Sequence, residues 1–530
     1  MPETAHPRAQ HSHHADRWGS KLGVILAVAG SAIGLGNFLR FPVQAAQNGG
    51  GAFMIPYFIA LLLLGIPLAV VEWTMGRYAG AHGHNTAAGA FGAMWHWRGA
   101  KYLGLLGVLG PWVIFLYYTY IESWTLAFSF FSLTGLYQGA TDQASMGAFL
   151  KGFQGLATGG AFANLGTAYF FFLLTFALNL VVVAGGIRKG IEFASKAFLP
   201  LLFVFAIVLV VRIMGLGEPN PARPDWNVLN GLGYLWNPNV AALGNSSVWL
   251  AAAGQILFTL SVGIGCILTY ASYLKPDDDV ALSSLTAVSM NELAEVILGG
   301  CLVIPAAFAF YGLQEMTAIA QGGAFNLGFV TMPLIFQRLA WGQLFGCLWF
   351  LLLFLAGITS SISLVQPVIA FFQNVYGWSR ARAVIVFGLV SFLLSQPAIF
   401  WLGRGAVDEM DFWGGTVCLV VFGLLEVILF GWIFGIERGW REIHHAAEIR
   451  FHPIFKVVIK YVTPAYLLFV LGFWFYDNAK SVIGMAGVDP ANRPYVLAVR
   501  WMLIGLLATL ALTMRAALHR RRRIQELVPR

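Results

Sequence analysis

The chain has 530 residues, of which 58% are hydrophobic and only 11% are charged, and its mean hydropathy is +0.73. A soluble domain carries roughly 25% charged residues, so this composition excludes a soluble globular protein and predicts a polytopic membrane protein. The net charge of +8 gives no reason to expect nucleic-acid binding, because the basic residues lie near the ends of apolar spans. The sequence contains no nucleotide-binding loop, metal-ligand cluster or nucleophile with an adjacent base, so we do not expect an enzyme.

Apolar runs long enough to cross a bilayer follow one another along the chain. We predict an all-α membrane protein of twelve transmembrane helices, at about 20–46, 51–77, 101–132, 163–186, 192–214, 244–274, 281–311, 341–374, 381–402, 412–435, 458–476 and 497–516. The apolar segment 316–336 is interrupted by glycines and a proline. We interpret it as a re-entrant or extracellular helical hairpin, with a thirteenth span as the alternative.

Two of the predicted spans contain glycines in the middle. Gly30, Gly34 and Gly36 interrupt the first span, and Gly263 and Gly265 interrupt the sixth. Glycine is a poor helix former, and irregular backbone survives in a membrane only against protein or a wet cavity. Either stretch alone is also compatible with tight packing of helices through small residues. Glycine-interrupted spans at corresponding places in two halves indicate the binding site of a secondary transporter.

Lysine and arginine are concentrated at one set of span ends, which we call the basic end. Its residues include Arg17 and Lys21, Arg77, Arg188, Lys189 and Lys196, Lys275, Arg380, and the segment 438–460. The positive-inside rule predicts that this end is cytoplasmic, with both termini inside. We expect a disordered tail at 1–17, two inverted five-helix repeats at 18–215 and 216–436, helices eleven and twelve at 437–516, and a basic tail at 517–530.

Polar residues inside or beside the spans are functional candidates, because they are costly in lipid. Arg40 and Asp411 could pair across an outer vestibule, or both could be interfacial charges in water. Three neutral oxygen donors on different spans could bind Na⁺, a hard cation: Asn37, Thr259 and Asn291. The hydroxyl cluster Thr359, Ser360 and Ser361 could do the same, or could bond only to its own helix.

The ordered motifs of the chain resemble the neurotransmitter:sodium symporter family, especially its bacterial branch. The resemblance rests on the segments 34–42 (GLGNFLRFP), 48–53 (NGGGAF), 67–77 (PLAVVEWTMGR), 117–124 (YYTYIESW), 258–261 (FTLS) and 408–413 (DEMDFW). It covers nearly the whole chain, from Trp18 to the last helix. The paired helix breaks are themselves characteristic of this family, so they are not independent support for it.

The resemblance implies a sodium-coupled importer of amino acids that works by alternating access, with two Na⁺ sites. The first site would use the carbonyl of Ala32, the side chains of Asn37 and Asn291, Thr259, and the substrate carboxylate. The second would use the carbonyls of Gly30, Ile33 and Ala356 with the hydroxyls of Thr359 and Ser360. No chloride requirement is expected, because Glu295 stands where chloride-dependent relatives bind the anion, beside Tyr57, Gln255 and Asn291.

The resemblance also assigns the substrate site and its outer gate. The backbone at Gly34, Leu35 and Gly36, with Tyr118, would bind the substrate carboxylate, and the carbonyls of Ala32, Phe258 and Thr259, with Ser261, would bind its ammonium group. The side-chain pocket would be lined by Ile114, Tyr118, Phe258, Ser261, Ile264, Ser360 and Leu364. Tyr118 and Phe258 would form a lid, with Arg40 and Asp411 above it.

Departures from the family pattern leave some questions open. Ile114, Ile264 and Leu364 replace other apolar residues of the bacterial branch, so the pocket stays apolar but changes shape. The family's inner ion pair is missing, because Ala15 and Asn374 occupy its positions; Arg17 could replace the arginine, but no partner is evident. An amino-acid sensor with little transport therefore remains the alternative function. We further expect the inner membrane of a bacterium, and a homodimer is an open alternative.

Overall fold

Helices make up most of the described protein, because its apolar runs can satisfy their backbone groups in lipid only within helices. The computed structural model describes residues 17–157, 160–238 and 240–527. Its helices are α1 (Lys21–Ala32), α2 (Leu35–Gln47), α3 (Gly51–Ala81), α4 (Ala87–Met94), α5 (Ala100–Thr134), α6 (Gln143–Phe153), α7 (Gly166–Ala184), α8 (Ile187–Met214), α9 (Val228–Trp236), α10 (Ser246–Thr259), α11 (Cys266–Ala271), α12 (Val280–Gln321), α13 (Gly323–Gln337), α14 (Gly342–Tyr376), α15 (Arg380–Phe400), α16 (Ala406–Ile433), α17 (Ile436–Ile443), α18 (Ile454–Tyr476) and α19 (Arg493–Leu527).

Ten of the described helices are long and apolar enough to cross a membrane, and the bent pair of α1 and α2 makes an eleventh. The predicted sixth span corresponds to α10 and α11, each of which is too short to cross alone. The helical membrane fold is therefore confirmed. The observed helices overlap all twelve predicted spans, but length and composition by themselves do not count twelve crossings.

The predicted helix breaks lie where the glycines are. Between α1 and α2 the chain bends by 45°, and Ile33 and Gly34 leave helical geometry there. Between α10 and α11 the residues from Leu260 to Gly265 are not helical. Both interruptions sit in spans that are buried on most sides, so protein covers the freed backbone groups, as the membrane requires.

The uncertain segment 316–336 does not form one straight span. Gly312 interrupts α12 with φ 67° and ψ 176°, and the chain then turns again before the shorter apolar helix α13. The stretch after Gly312 thus contains two short helical pieces, and its assignment to an extracellular or re-entrant hairpin stays a prediction.

The centre of the bundle is formed by α5 and α14, which pack along each other. In each of them 89% of the most apolar window is buried, compared with 28% for α8, α18 and α19. The first two therefore form the core, while the other three present most of their apolar surface to lipid. The predicted tail at 517–530 begins inside α19, and the predicted tail at 1–17 lies, apart from Arg17, outside the described residues.

Candidate functional site

A cavity lies between the two helix breaks, next to α5 and α14. All twelve residues predicted for the substrate site line it, together with three further polar residues. The predicted residues are Ala32, Gly34, Leu35, Gly36, Ile114, Tyr118, Phe258, Thr259, Ser261, Ile264, Ser360 and Leu364, and the additional ones are Ser31, Asn37 and Ser363. Four separate stretches of the sequence therefore meet at one place.

The first break presents the N-terminus of α2 to the cavity. Gly34 is extended, with φ −117° and ψ −168°. Its N–H donates to Oδ1 of Asn37 at 2.8 Å, and the N–H of Leu35 donates to the Tyr118 hydroxyl at 3.2 Å. A helix N-terminus favours a bound anion, because its first N–H groups have no partner within the helix. This end of the cavity can therefore bind a carboxylate.

The second break has strained backbone that is stabilised by a buried carboxylate. Ser261 has φ 53°, and Gly263 and Gly265 have φ 72° and 88°, values that favour glycine. Glu72 of α3 accepts a short hydrogen bond from the N–H of Gly263. The sequence offered one signal for this role, an acidic residue within an apolar span, but it did not indicate that the carboxylate binds Gly263.

The three neutral oxygen donors of the predicted first Na⁺ site are in contact. Asn37 donates to Oδ1 of Asn291 at 2.8 Å, and Asn291 donates to the Thr259 hydroxyl at 3.2 Å. All three side chains are at most 2% exposed. These amide and hydroxyl groups bring several neutral oxygens to one place away from bulk water, and a hard cation takes ligands of this type.

Glu295 adjoins this cluster from the next turn of α12. Its carboxylate accepts hydrogen bonds from Gln255 at 2.8 Å and from Tyr57 at 3.2 Å, and a short one from the Thr259 hydroxyl. The residue is fully buried. The Glu295 carboxylate therefore lies in contact with Thr259 of the predicted first Na⁺ site, and its role as a substitute for chloride stays a prediction.

The residues of the predicted second Na⁺ site meet where α1 lies against α14. The Ser360 hydroxyl donates to the carbonyl of Gly30 at 3.4 Å, and that of Thr359 donates to the carbonyl of Ala356 at 3.1 Å. A Cβ added to Gly30 would lie 3.1 Å from Cβ of Thr359, so the glycine allows α1 and α14 to approach closely here. The fifth predicted ligand, Ile33, is the first residue after α1.

Ser31 and Ser363 are cavity residues that the sequence analysis missed. Their hydroxyls are 2.6 Å apart, and Ser363 lies one turn from Ser360 in the direction of the basic end. They make that wall of the cavity more polar than the prediction assumed. Each serine taken alone gave no signal, because serines in membrane helices commonly bond to their own backbone.

Above the lid the two predicted gate charges have separate partners. The guanidinium of Arg40 lies over the Phe258 ring, 4.4 Å from its centroid, and Asp411 accepts a hydrogen bond of 2.5 Å from the Tyr117 hydroxyl. Among the described residues no ion pair joins Arg40 to Asp411. Each charge therefore contacts an aromatic residue next to the cavity.

At the basic end a tryptophan joins the two broken helices. The indole N–H of Trp18 donates to the carbonyl of Tyr270 at 2.9 Å, and the two rings pack edge to face with centroids 5.3 Å apart. Arg17 is exposed, and Asn374 donates to the carbonyl of Ala370 in its own helix. Ala15 lies outside the described residues.

Comparison with known proteins gives a consistent family. The model of the sodium:neurotransmitter symporter family matches residues 15–141 and 137–485. An uncharacterized sodium-dependent transporter of Methanocaldococcus jannaschii is 30% identical over 91% of this chain and 94% of its own length. YhdH, an uncharacterized sodium-dependent transporter of Bacillus subtilis, is 32% identical over 76% of this chain and 81% of its own. The human sodium- and chloride-dependent GABA transporter 2 is 25% identical over 84% and 78%.

A solved structure shares the architecture. The crystal structure of MhsT in complex with L-phenylalanine superimposes with a TM-score of 0.74 and 30% sequence identity, covering 86% of this chain and 99% of that one. The helix breaks, the cavity and these matches extend over most of the chain. The chain therefore belongs to the sodium:neurotransmitter symporter family, and it is a multi-pass, sodium-coupled membrane transporter and not an enzyme.

Proposed function

We propose that the protein imports neutral, mainly apolar α-amino acids together with Na⁺. The observation that carries the proposal is the composition of the cavity. At the first break it offers the N-terminus of α2 and the Tyr118 hydroxyl, and at the second break the residues Phe258, Thr259 and Ser261. Such a cavity suits a carboxylate at one side and an ammonium group at the other, which are the two groups that every α-amino acid carries.

The side-chain part of the cavity favours an apolar substrate. Ile114, Ile264 and Leu364 line it, and none of them can pair with a charge. A charged side chain would be buried without a partner, at a cost of several kcal/mol. Ser31 and Ser363 satisfy each other, so they do not attract a charge either. MhsT, in whose structure L-phenylalanine is bound, fits this expectation.

Two Na⁺ ions would be carried with the substrate. The Asn37, Asn291 and Thr259 cluster, with the carbonyl of Ala32, would hold the first, and the substrate carboxylate would complete its shell. Gly30, Ile33, Ala356, Thr359 and Ser360 would hold the second. Because the carboxylate and the first ion would share one site, each should strengthen the binding of the other by the same factor.

Chloride would not be required. The carboxylate of Glu295 already stands beside the first cluster and is bonded to Gln255 and Tyr57. It would balance the charge of the cation from within the protein. This distinguishes the chain from the sodium- and chloride-dependent GABA transporter 2 that it resembles.

The outer gate would consist of Arg40 and Asp411 above Tyr118 and Phe258. When the vestibule narrows, water between the two charges thins and their attraction grows as the local dielectric falls. When it is wide, both stay hydrated. The pair would bias the closed state without locking it, so separate partners in one conformation are compatible with the role.

We place the protein in the inner membrane of a bacterium, with the basic end in the cytoplasm. The test of function is uptake and counterflow in proteoliposomes with an inward Na⁺ gradient. Labelled leucine or phenylalanine should accumulate and should exchange with unlabelled amino acid. Na⁺-dependent binding without either flux would favour the sensor alternative. Preference for glutamate, lysine or a decarboxylated amine would contradict the proposed substrate class.

A further inference from the structure

The start of α1 is bound to a buried carboxylate of another helix. Glu192 lies in the first turns of α8 and its side chain is 3% exposed. Its Oε2 accepts from the N–H of Gly19 at 2.6 Å, and its Oε1 accepts from the Ser20 hydroxyl at 3.0 Å. Lys196, one turn later in α8, lies 2.6 Å from Oε1. One acidic side chain therefore joins the beginning of the first broken helix to α8.

The local structure of both partners favours this contact. Ser20 is the N-cap of α1 and accepts from the N–H of Gly23 at 3.0 Å. Residues at the start of a helix have N–H groups without a partner, so a carboxylate there is stabilised by hydrogen bonds and by the helix dipole. A Cβ added to Gly23 would collide with the Glu192 carboxylate. A residue larger than glycine at that position would therefore displace the Glu192 carboxylate.

The contact occupies the region in which the family's inner ion pair is missing. Ala15 and Asn374 stand at the positions of that pair, and Arg17 is exposed. The same few residues before α1 are nevertheless bound twice, by Trp18 to Tyr270 and by Gly19 and Ser20 to Glu192. The N-terminal half of the first broken helix must separate from these partners before the cavity can open at the basic end.

We propose that Glu192 is the latch that closes the basic end of this transporter. It acts as a positioning residue, because it touches neither the cavity nor a residue of the two Na⁺ clusters. Its acceptance of the Gly19 N–H and the Ser20 hydroxyl favours the state in which α1 lies against α8. Breaking these bonds shifts the population towards the state that is open at the basic end. The inference needs only the transport cycle, not the proposed substrate.

The test measures access to the basic end with a cysteine at Tyr273. This residue is 8% exposed and lies one turn beyond Tyr270. In the Tyr273→Cys background, Glu192→Ala should raise the rate of labelling by a small hydrophilic thiol reagent about 3- to 30-fold, the range expected for shifting a two-state element. Gly23→Ala should raise it as well, because the added methyl group displaces the carboxylate. Glu192→Asp should restore slow labelling, at least in part.

A matched control is available on the same helix start. Lys21 forms an ion pair of 3.3 Å with Glu448, which is largely exposed. Glu448→Gln removes a carboxylate from the same end of α1 without touching the latch, and it should leave the labelling rate unchanged. The parent protein without the added cysteine corrects for Cys301 and Cys347, which are partly exposed.

The labelling rate of the double variant shows whether Gly23→Ala acts through Glu192 or destabilises the basic end independently of it. Gly23→Ala acts through the carboxylate, so in the Glu192→Ala background it should add nothing to the labelling rate. Additive effects, equal acceleration by Glu448→Gln, or unchanged labelling in both single variants would overturn the inference. A monodisperse size-exclusion profile and an unchanged midpoint of thermal unfolding report whether each variant is folded. If Glu192→Ala does not fold, Gly23→Ala and Ser20→Ala carry the same comparison.

The latch and the proposed function can fail separately. Labelling requires no substrate, so a protein that transports some other solute would still show the Glu192 effect. Conversely, amino-acid uptake that responds to Na⁺ would stand even if Glu192 had no influence on access. The two experiments therefore test different statements about the same molecule.

Discussion

The two ends of the cavity are closed by different chemistry. At the basic end two contacts to the start of α1 use backbone groups: Trp18 donates to the Tyr270 carbonyl, and the N–H of Gly19 donates to Glu192. At the opposite end the two charges have separate partners: Arg40 lies over the Phe258 ring, and Asp411 accepts a hydrogen bond from the Tyr117 hydroxyl. Backbone contacts are short and directional, whereas separated charges respond to hydration. The proposed outer gate would therefore respond to how much water the vestibule holds, and the proposed latch would not.

The largest expected effect comes from replacing Asn37, which connects the first helix break to α12. Asn37 caps α2 at Gly34 and donates to Asn291. Asn37→Ala should weaken Na⁺-dependent amino-acid binding about 10- to 100-fold, since losing a partner of a charged group costs about 1.5–3 kcal/mol. Equilibrium binding of labelled amino acid against Na⁺ concentration measures it.

Asn179→Ala is the control for Asn37→Ala. Asn179 is also a fully buried amide, but it bonds to Glu122 and Ser361 outside the cavity. Its replacement should affect stability without changing the Na⁺ dependence of binding. If amino-acid binding depended on Na⁺ concentration in the same way in both variants, Asn37 would matter only as a buried amide.

The next effect concerns the carboxylate of Glu295, which lies beside the predicted first Na⁺ site. Glu295→Ser should make uptake depend on chloride, because a free anion must then replace the carboxylate that Gln255 and Tyr57 hold. Uptake by the variant should fall at least about fivefold when chloride is exchanged for gluconate, within the usual range of coupling between sites. The unaltered protein should transport equally in both buffers. A loss of its uptake in gluconate would contradict the internal charge balance.

Removing the outer charge should separate transport from ion binding. Arg40→Ala should lower the uptake rate about 3- to 30-fold. The Na⁺ affinity should change by less than about twofold, because neither predicted Na⁺ site uses Arg40. A vestibule cysteine should lose the protection from impermeant thiol reagents that Na⁺ and substrate give. Arg212→Ala is the matched control, because Arg212 also stacks on a phenylalanine, 5.6 Å from the Phe345 ring centroid. Equal protection with and without Arg40 would exclude the gate.

The sequence could predict the features that have a local signal, but not the contacts between distant helices. The breaks at Gly34 and Gly263 follow from glycine in an apolar span, and Asn37, Thr259 and Asn291 are conspicuous polar residues there. Those signals are local. The bonds of Glu192 to Gly19 and of Glu72 to Gly263 join residues 173 and 191 positions apart. No local pattern encodes them, because the rotation and depth of each span are set by its packing against others.

The smallest expected effect tests the polar wall of the cavity that faces the basic end. Ser363 bonds to Ser31 at 2.6 Å, next to a pocket of Ile114, Ile264 and Leu364. Ser363→Ala should raise the preference for leucine over threonine about two- to tenfold, because one hydrogen bond contributes roughly 0.5–1.5 kcal/mol. Competition of both amino acids against a labelled substrate at saturating Na⁺ measures the ratio. Ser361→Ala is the control, since that hydroxyl donates to Asn179 at 2.6 Å and does not line the cavity. An unchanged ratio in Ser363→Ala would mean that the substrate side chain does not reach the serine pair, so that only the opposite, apolar walls select it.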